Sequence, residues 1–199
     1  MKSISLCVFL LCALLSHGQP ILKVDWGEKL MTSKSTPTLQ VVTNPMVRPG
    51  APMHQGAFQA LSNLEADYVR FVPWFPYPKL AVAELEPPTK EKTSWDFTLI
   101  DPIIMDFFEN TKGHSVIINF STIPQWMFKT DQKVQYPDDP NQVDWSYGGG
   151  QQLRDTTLKE LTDYYVRLLS WYTKGGFTDE LGKYHSSGHK YKIPFVEIL

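Results

Sequence analysis

Short strand-type apolar runs alternate with helix-period segments along the chain, and this alternation restricts the possible folds more than any other feature. Leu39-Gln40-Val41-Val42-Thr43, Tyr68-Val69-Arg70-Phe71-Val72 and Ser115-Val116-Ile117-Ile118-Asn119-Phe120 are rich in β-branched and aromatic residues. Between the first two, Phe58, Leu61 and Leu64 share one face of a helix expected from about Met53 to Leu64. Between the next two, Ile100, Ile103, Ile104, Phe107 and Phe108 predict a helix from about Thr98 to Thr111, closed by Gly113. The strongest helical pattern runs through Leu153, Leu158, Leu161, Tyr165, Leu168 and Leu169 and stops at Gly175-Gly176. A fourth strand is expected over Lys192 to Leu199. Repeated strand and helix in this order specify an α/β fold with a parallel sheet, in which the third strand is expected to be buried on both faces.

An open doubly wound sheet and a closed (β/α)8 TIM barrel both satisfy that order. The long, aromatic-rich connections follow strands: three prolines stud Pro73-Trp74-Phe75-Pro76-Tyr77-Pro78, and an irregular stretch runs from Ser121 to Gln151. Active sites of barrels are built from the loops after strands, so a barrel is favoured. The apolar run at Lys192 to Leu199 carries no turn or polar tail, and four strands make half a barrel. The expectation is a partial (β/α)8 barrel, its first four strands, truncated at the C-terminus.

Lys2 followed by the apolar stretch Ile4 to Leu15 and then Ser16-His17-Gly18 reads as a secretory signal peptide over residues 1–18, cut after Gly18. It is too short to span a bilayer. Residues 19–37 form a leader and residues 38–199 the barrel segment, and the protein is expected outside the cell or in the lysosome. Both cysteines, Cys7 and Cys12, fall in the signal, so the mature chain has no disulfide, thiolate nucleophile or cysteine metal site. The formal net charge is −2, and loss of Lys2 makes it more negative. Without a basic stripe, nucleic acid is not an expected partner.

No glycine-rich phosphate loop follows a strand, so no nucleotide cofactor is expected. His185 and His189 have a spacing that could clamp a metal on a helix, but Ser186-Ser187-Gly188 between them makes a loop, and no metal site is assigned. Asp138, Asp139 and Asp144 read as a solvated acidic turn. Arg70, a cation within an apolar strand, requires a carboxylate partner. It either pairs with Glu197, the acid of the fourth strand, or orients a catalytic carboxylate from a later strand. Aromatic residues make up 13% of the chain; core packing explains most of them, and those outside strands and helices suggest a cleft for flat or ring-shaped ligands.

Tyr68-Val69-Arg70-Phe71, Trp95-Asp96-Phe97-Thr98 with Asp101 and Phe107-Phe108, Val116-Ile117-Ile118-Asn119-Phe120 with Ile123-Pro124, and Phe195-Val196-Glu197-Ile198-Leu199 together resemble the first half of a glycoside hydrolase family 39 barrel. That family includes β-xylosidases and α-L-iduronidase, which are retaining glycosidases. The resemblance implies a carbohydrate substrate (oligosaccharide, glycoside or glycosaminoglycan) and no cofactor. In the family the fourth strand reads Phe-Glu-Val-Trp-Asn-Glu and ends in the general acid/base. Val196 to Leu199 matches its earlier part, so neither catalytic Glu is expected within residues 1–199. Without two carboxyl groups about 5–5.5 Å apart, residues 1–199 alone should not turn over a glycoside. The resemblance implies a supporting role for Arg70, with Trp74, Trp126, His54, Asn119 and Trp145 lining the sugar cleft. Ile118-Asn119 replaces the Phe-Glu of many members, and Asn119-Phe120-Ser121 is a glycosylation sequon expected to be unused. The alternative is a secreted, non-catalytic carbohydrate-binding or interaction protein of the same fold.

Overall fold

A computed structural model of the chain describes residues 21–73, 75–130, 135–145 and 152–198. The signal peptide with Gly18, and also Trp74, lie outside the described residues. The chain divides into two units, Met1–Ser35 and Thr36–Leu199. The described part of the first has no helix or strand, and its one turn is held by Gly27 N donating to Asp25 Oδ1 at 2.9 Å.

The second unit is built on a sheet of four parallel strands: β1 (Thr38–Thr43), β2 (Tyr68–Pro73), β3 (Ser115–Asn119) and, later in the chain, β6 (Phe195–Glu197). Their order in the sheet is their order in the chain, β1-β2-β3-β6. The crossovers carry helices α1 (His54–Asn63), α2 (Asp101–Asn110) and α3 (Lys159–Thr173). A small antiparallel hairpin, β4 (Gly176–Thr178) with β5 (Tyr184–Ser186), follows α3. Among the described residues no helix is long and apolar enough to cross a membrane.

The strand residues explain why one face of the sheet is covered. Val69, Phe71, Val116 and Ile118 alternate onto one side and join a single core with Ile104 and Phe107 of α2 and Tyr164, Leu168 and Tyr172 of α3. The Phe71 and Phe107 rings lie 5.2 Å apart at the centre of that layer. On the other side Tyr68, Arg70 and Ile117 are only half-buried and stand outside the core cluster. The third strand is therefore not buried on both faces along its whole length as expected; Ser115 and Ile117 on its second face are half-buried, and only Asn119 at its end is enclosed.

Three boundaries also depart from the expected pattern. The third helix begins at Lys159 and not near Leu153, since Leu158 takes a left-handed φ of 63° and Asp155 accepts the Glu160 N–H at 2.9 Å, capping the helix start. Leu153 bridges Phe128 instead. The last strand spans only three residues. The hairpin falls in the stretch expected as a polar loop.

Candidate functional site

In a parallel sheet, ligands bind beyond the carboxyl ends of the strands, where the loops are free to vary. On the open face, register places Gln40, Arg70, Ile117 and Phe195 side by side, with Asn119 opposite Glu197 one step further along. Arg70 reaches over β3 to β6. Its Nε donates to Glu197 Oε2 at 2.7 Å and its Nη2 to Oε1 at 2.8 Å, a bidentate pair, while Nη1 donates to Gln40 Oε1. One guanidinium thus joins β1, β2 and β6, and the pair with Glu197 expected for Arg70 is formed. The pair is partly solvated, at 22% and 32% side-chain exposure, and the Arg70 hydrogen bonds hold Glu197 below the usual carboxylate range.

Asn119 is fully buried at the end of β3, where its Oδ1 accepts the Ser121 N–H at 2.8 Å. Its Nδ2 makes no hydrogen bond, although the amide lies near enough to Glu197 to favour the ionised carboxylate. Thr43 Oγ1, at the end of β1, and Thr122 Oγ1, just past β3, are likewise buried and unpartnered. A buried polar atom left without a partner costs about 1–3 kcal/mol, and three of the four among the described residues lie at or just past the ends of β1 and β3 in the chain. Register puts Thr43 on the covered face and Asn119 on the open one. Burial of Asn119 also bears on the sequon. Mass spectrometry of the chain expressed through a secretory host, before and after N-glycan removal, is expected to leave the Asn119 peptide unchanged; a deamidated Asn119 after enzymatic release would mean that this strand end is not buried in the native chain.

The other sugar-contact candidates are not all brought to this end. Trp126 is a core residue, 7% exposed, with Nε1 donating to the Glu84 carbonyl at 2.8 Å and the Arg154 guanidinium 4.5 Å from its ring centre. The short helical turn Gln125–Met127 carries it buried, so it offers little surface to a ligand. His54, at the start of α1, pairs with Asp106 of α2 at 2.7 Å. A cleft of about 370 Å³ runs beside it, lined by Phe58, Gln59, Glu109 and Asn110. Trp145 is exposed, with its ring edge-on to Phe75.

No group of metal ligands occurs among the described residues. His185 pairs with Asp179 at 2.8 Å and His189 with Asp101 at 3.2 Å, so the two histidines serve different carboxylates. Asp101 also accepts from Trp171 Nε1 and Tyr172 Oη, which ties α2 to α3.

One titrating residue escaped the sequence reading. Glu84 is 1% exposed, accepts only the Ser94 N–H on Oε1, and leaves Oε2 without a partner. Burial, with Glu180 and Asp179 nearby, pushes its carboxyl up to about 8. Its signal in the sequence is an acid inside the apolar run Leu80-Ala81-Val82-Ala83-Glu84-Leu85. Gln40 and Phe75 carried no comparable signal.

No family model, curated protein or solved structure matches the chain.

Proposed function

We propose that residues 38–199 are the first half of a (β/α)8 barrel in a secreted or lysosomal retaining glycoside hydrolase of the family 39 type. Its substrate is an O-glycosidic bond in an oligosaccharide, glycoside or glycosaminoglycan. The observation that carries this reading is the sheet itself: its strands lie in chain order without the reversal of a doubly wound fold, and its uncovered face bears the polar set Gln40, Arg70 and Glu197. An uncovered face of this kind suits a barrel interior, where a second half would enclose it. Arg70 has five N–H donors and spends three of them on Glu197 and Gln40, which leaves two for a carboxylate from a later strand. Glu197 keeps the guanidinium oriented, and Asn119 offers a donor at the strand end.

Sequencing the transcript across the Leu199 codon tests the reading. The expected continuation is Asn-Glu and further strand and helix units. The complete product should hydrolyse a p-nitrophenyl β-xyloside or an iduronide with retention, and residues 1–199 alone should not. A stop codon there would exclude two-carboxylate hydrolysis. It would leave the second reading, a carbohydrate-binding protein, which the unpartnered donors at the strand ends favour because a bound hydroxyl satisfies them without any reaction.

A further inference from the structure

The three loops that follow β1, β2 and β3 are tied to one another. Arg48, after β1, donates Nη1 to Asn141 Oδ1 in the loop after β3. Lys79, after β2, donates Nζ to the Asp138 carbonyl at 3.0 Å, and Asp144 N donates to the Pro76 carbonyl at 2.8 Å. Asn141 N is held in turn by Asp139 Oδ1 at 2.8 Å. These links cross from loop to loop, so they fix the loops' relative positions without any strand pairing.

The ties bring two aromatic rings together in the open. Phe75 is 45% and Trp145 65% exposed, and their centroids lie 6.4 Å apart at 69°. Leaving two large rings partly exposed on these loops forgoes stabilising burial. The core does not explain them, whereas it explains Trp126 and Trp171. We infer that Phe75 and Trp145 form a stacking platform for a neutral oligosaccharide at the carboxyl end of the sheet. This rests on the glycosidase reading and narrows its substrate class.

The chemistry of the rim selects the ligand. Pyranose rings present C–H faces that stack on aromatic rings and hydroxyls that need amide, carboxylate and guanidinium partners. The loop that carries Trp145 also carries Asn141 and Asp144, and Arg48 is bonded to Asn141, so groups of these kinds belong to the tied loops. Among the residues that make the ties, Arg48 and Lys79 stand against Asp138, Asp139 and Asp144, so the ties carry no net positive charge. A sulfated or uronate-rich polymer gains no charge complementarity there, and a neutral chain needs none.

Saturation-transfer NMR and hydrogen exchange on the whole chain, with xylotetraose and cellotetraose as neutral probes and a dermatan-derived tetrasaccharide as the charged one, test the platform. A neutral probe is expected to bind and to protect peptides containing Phe75 and Trp145. Phe75→Ala and Trp145→Ala should each weaken binding tenfold or more, while Phe75→Tyr and Trp145→Phe, which keep a ring, stay within threefold. Stronger binding of the charged probe, equal binding by the alanine variants, or no binding of either neutral probe overturns the platform. Protection confined to peptides containing Arg70 and Glu197 also overturns it, yet leaves the glycosidase reading standing, since that reading falls or holds with the transcript and the activity of its product.

Discussion

Glu84→Gln is expected to flatten the pH dependence of unfolding between about pH 5 and pH 8. In the wild-type chain the Glu84 carboxyl is raised from 4.5 to about 8, first by burial and then by Glu180, with Asp179 adding to it and the Ser94 N–H and Arg167 opposing. A carboxyl raised on folding stabilises the protonated native state. That stabilisation is whole below the unfolded value of 4.5 and is lost as pH climbs towards 8. At about 1.4 kcal/mol for each pKa unit, the wild type forfeits roughly 3 kcal/mol by pH 7 and more by pH 8. Glutamine preserves the neutral shape and the acceptor for Ser94. The two proteins should therefore match near pH 5, and the variant should be the more stable at pH 8, as read from urea midpoints across the range. Parallel curves would mean that Glu84 is hydrated in solution. A separate window lies at low pH. Burial raises the Asp179 carboxyl, but the His185, Lys183, Thr93 and Leu181 hydrogen bonds outweigh it and bring it to about 2. Its contribution is present above 3.8 and is lost as pH falls through about 2, outside the range that Glu84 controls.

Gly176→Ala is expected to disrupt the β4–β5 hairpin that carries Asp179 and Glu180. Gly176 has a φ of 147°, and an added Cβ would lie 2.1 Å from the His185 carbonyl oxygen and 2.8 Å from Tyr184 Oη. The first obstacle is backbone, and it belongs to the strand that Gly176 pairs with through Ser186, so it cannot swing aside. Phe177, 5% exposed and edge-on to Trp95 at 4.7 Å, would be drawn from the core with the strand. A loss of about 3 kcal/mol or more is expected, a Tm drop of roughly 6–12 °C for a chain of this size. Gly182→Ala is the control: its φ of 82° imposes the left-handed penalty, but nothing lies within 4 Å of the new Cβ, so it should cost only about 1–2 kcal/mol. Equal losses at the two glycines would show that the close approach at Gly176 is relieved in solution.

Elements whose periodicity is long enough were legible from residues alone. The run at Ser115 to Asn119 is bounded by Gly113 and by a proline-bearing loop, and the Ile103, Ile104, Phe107, Phe108 spacing admits only a helix. The hairpin was not legible, because three residues per strand give alternation too little length to stand out. The start of α3 was misplaced because Leu153 and Leu158 fit the helical period. Asp155 ends the preceding loop with side-chain bonds to the backbone, a local competition that hydrophobic spacing does not register. At the site, a charge in an apolar strand flagged Arg70, and its need for a carboxylate pointed to Glu197. Nothing local distinguished Trp126, which turns into the core, from Trp145, which stays exposed, since a tryptophan's environment is set by what folds over it.

The alternation of strand and helix, the parallel class of the sheet and the demand of Arg70 for a partner are written in short stretches of residues, because backbone periodicity and the cost of burying a charge are local properties. Packing of the whole chain was needed to lay the strands in chain order with one face left open, to bury Glu84 beside Asp179 and Glu180, and to bring Phe75 to Trp145. Those outcomes join residues tens of positions apart, and they depend on dehydration and distance, which exist only once the chain has closed on itself.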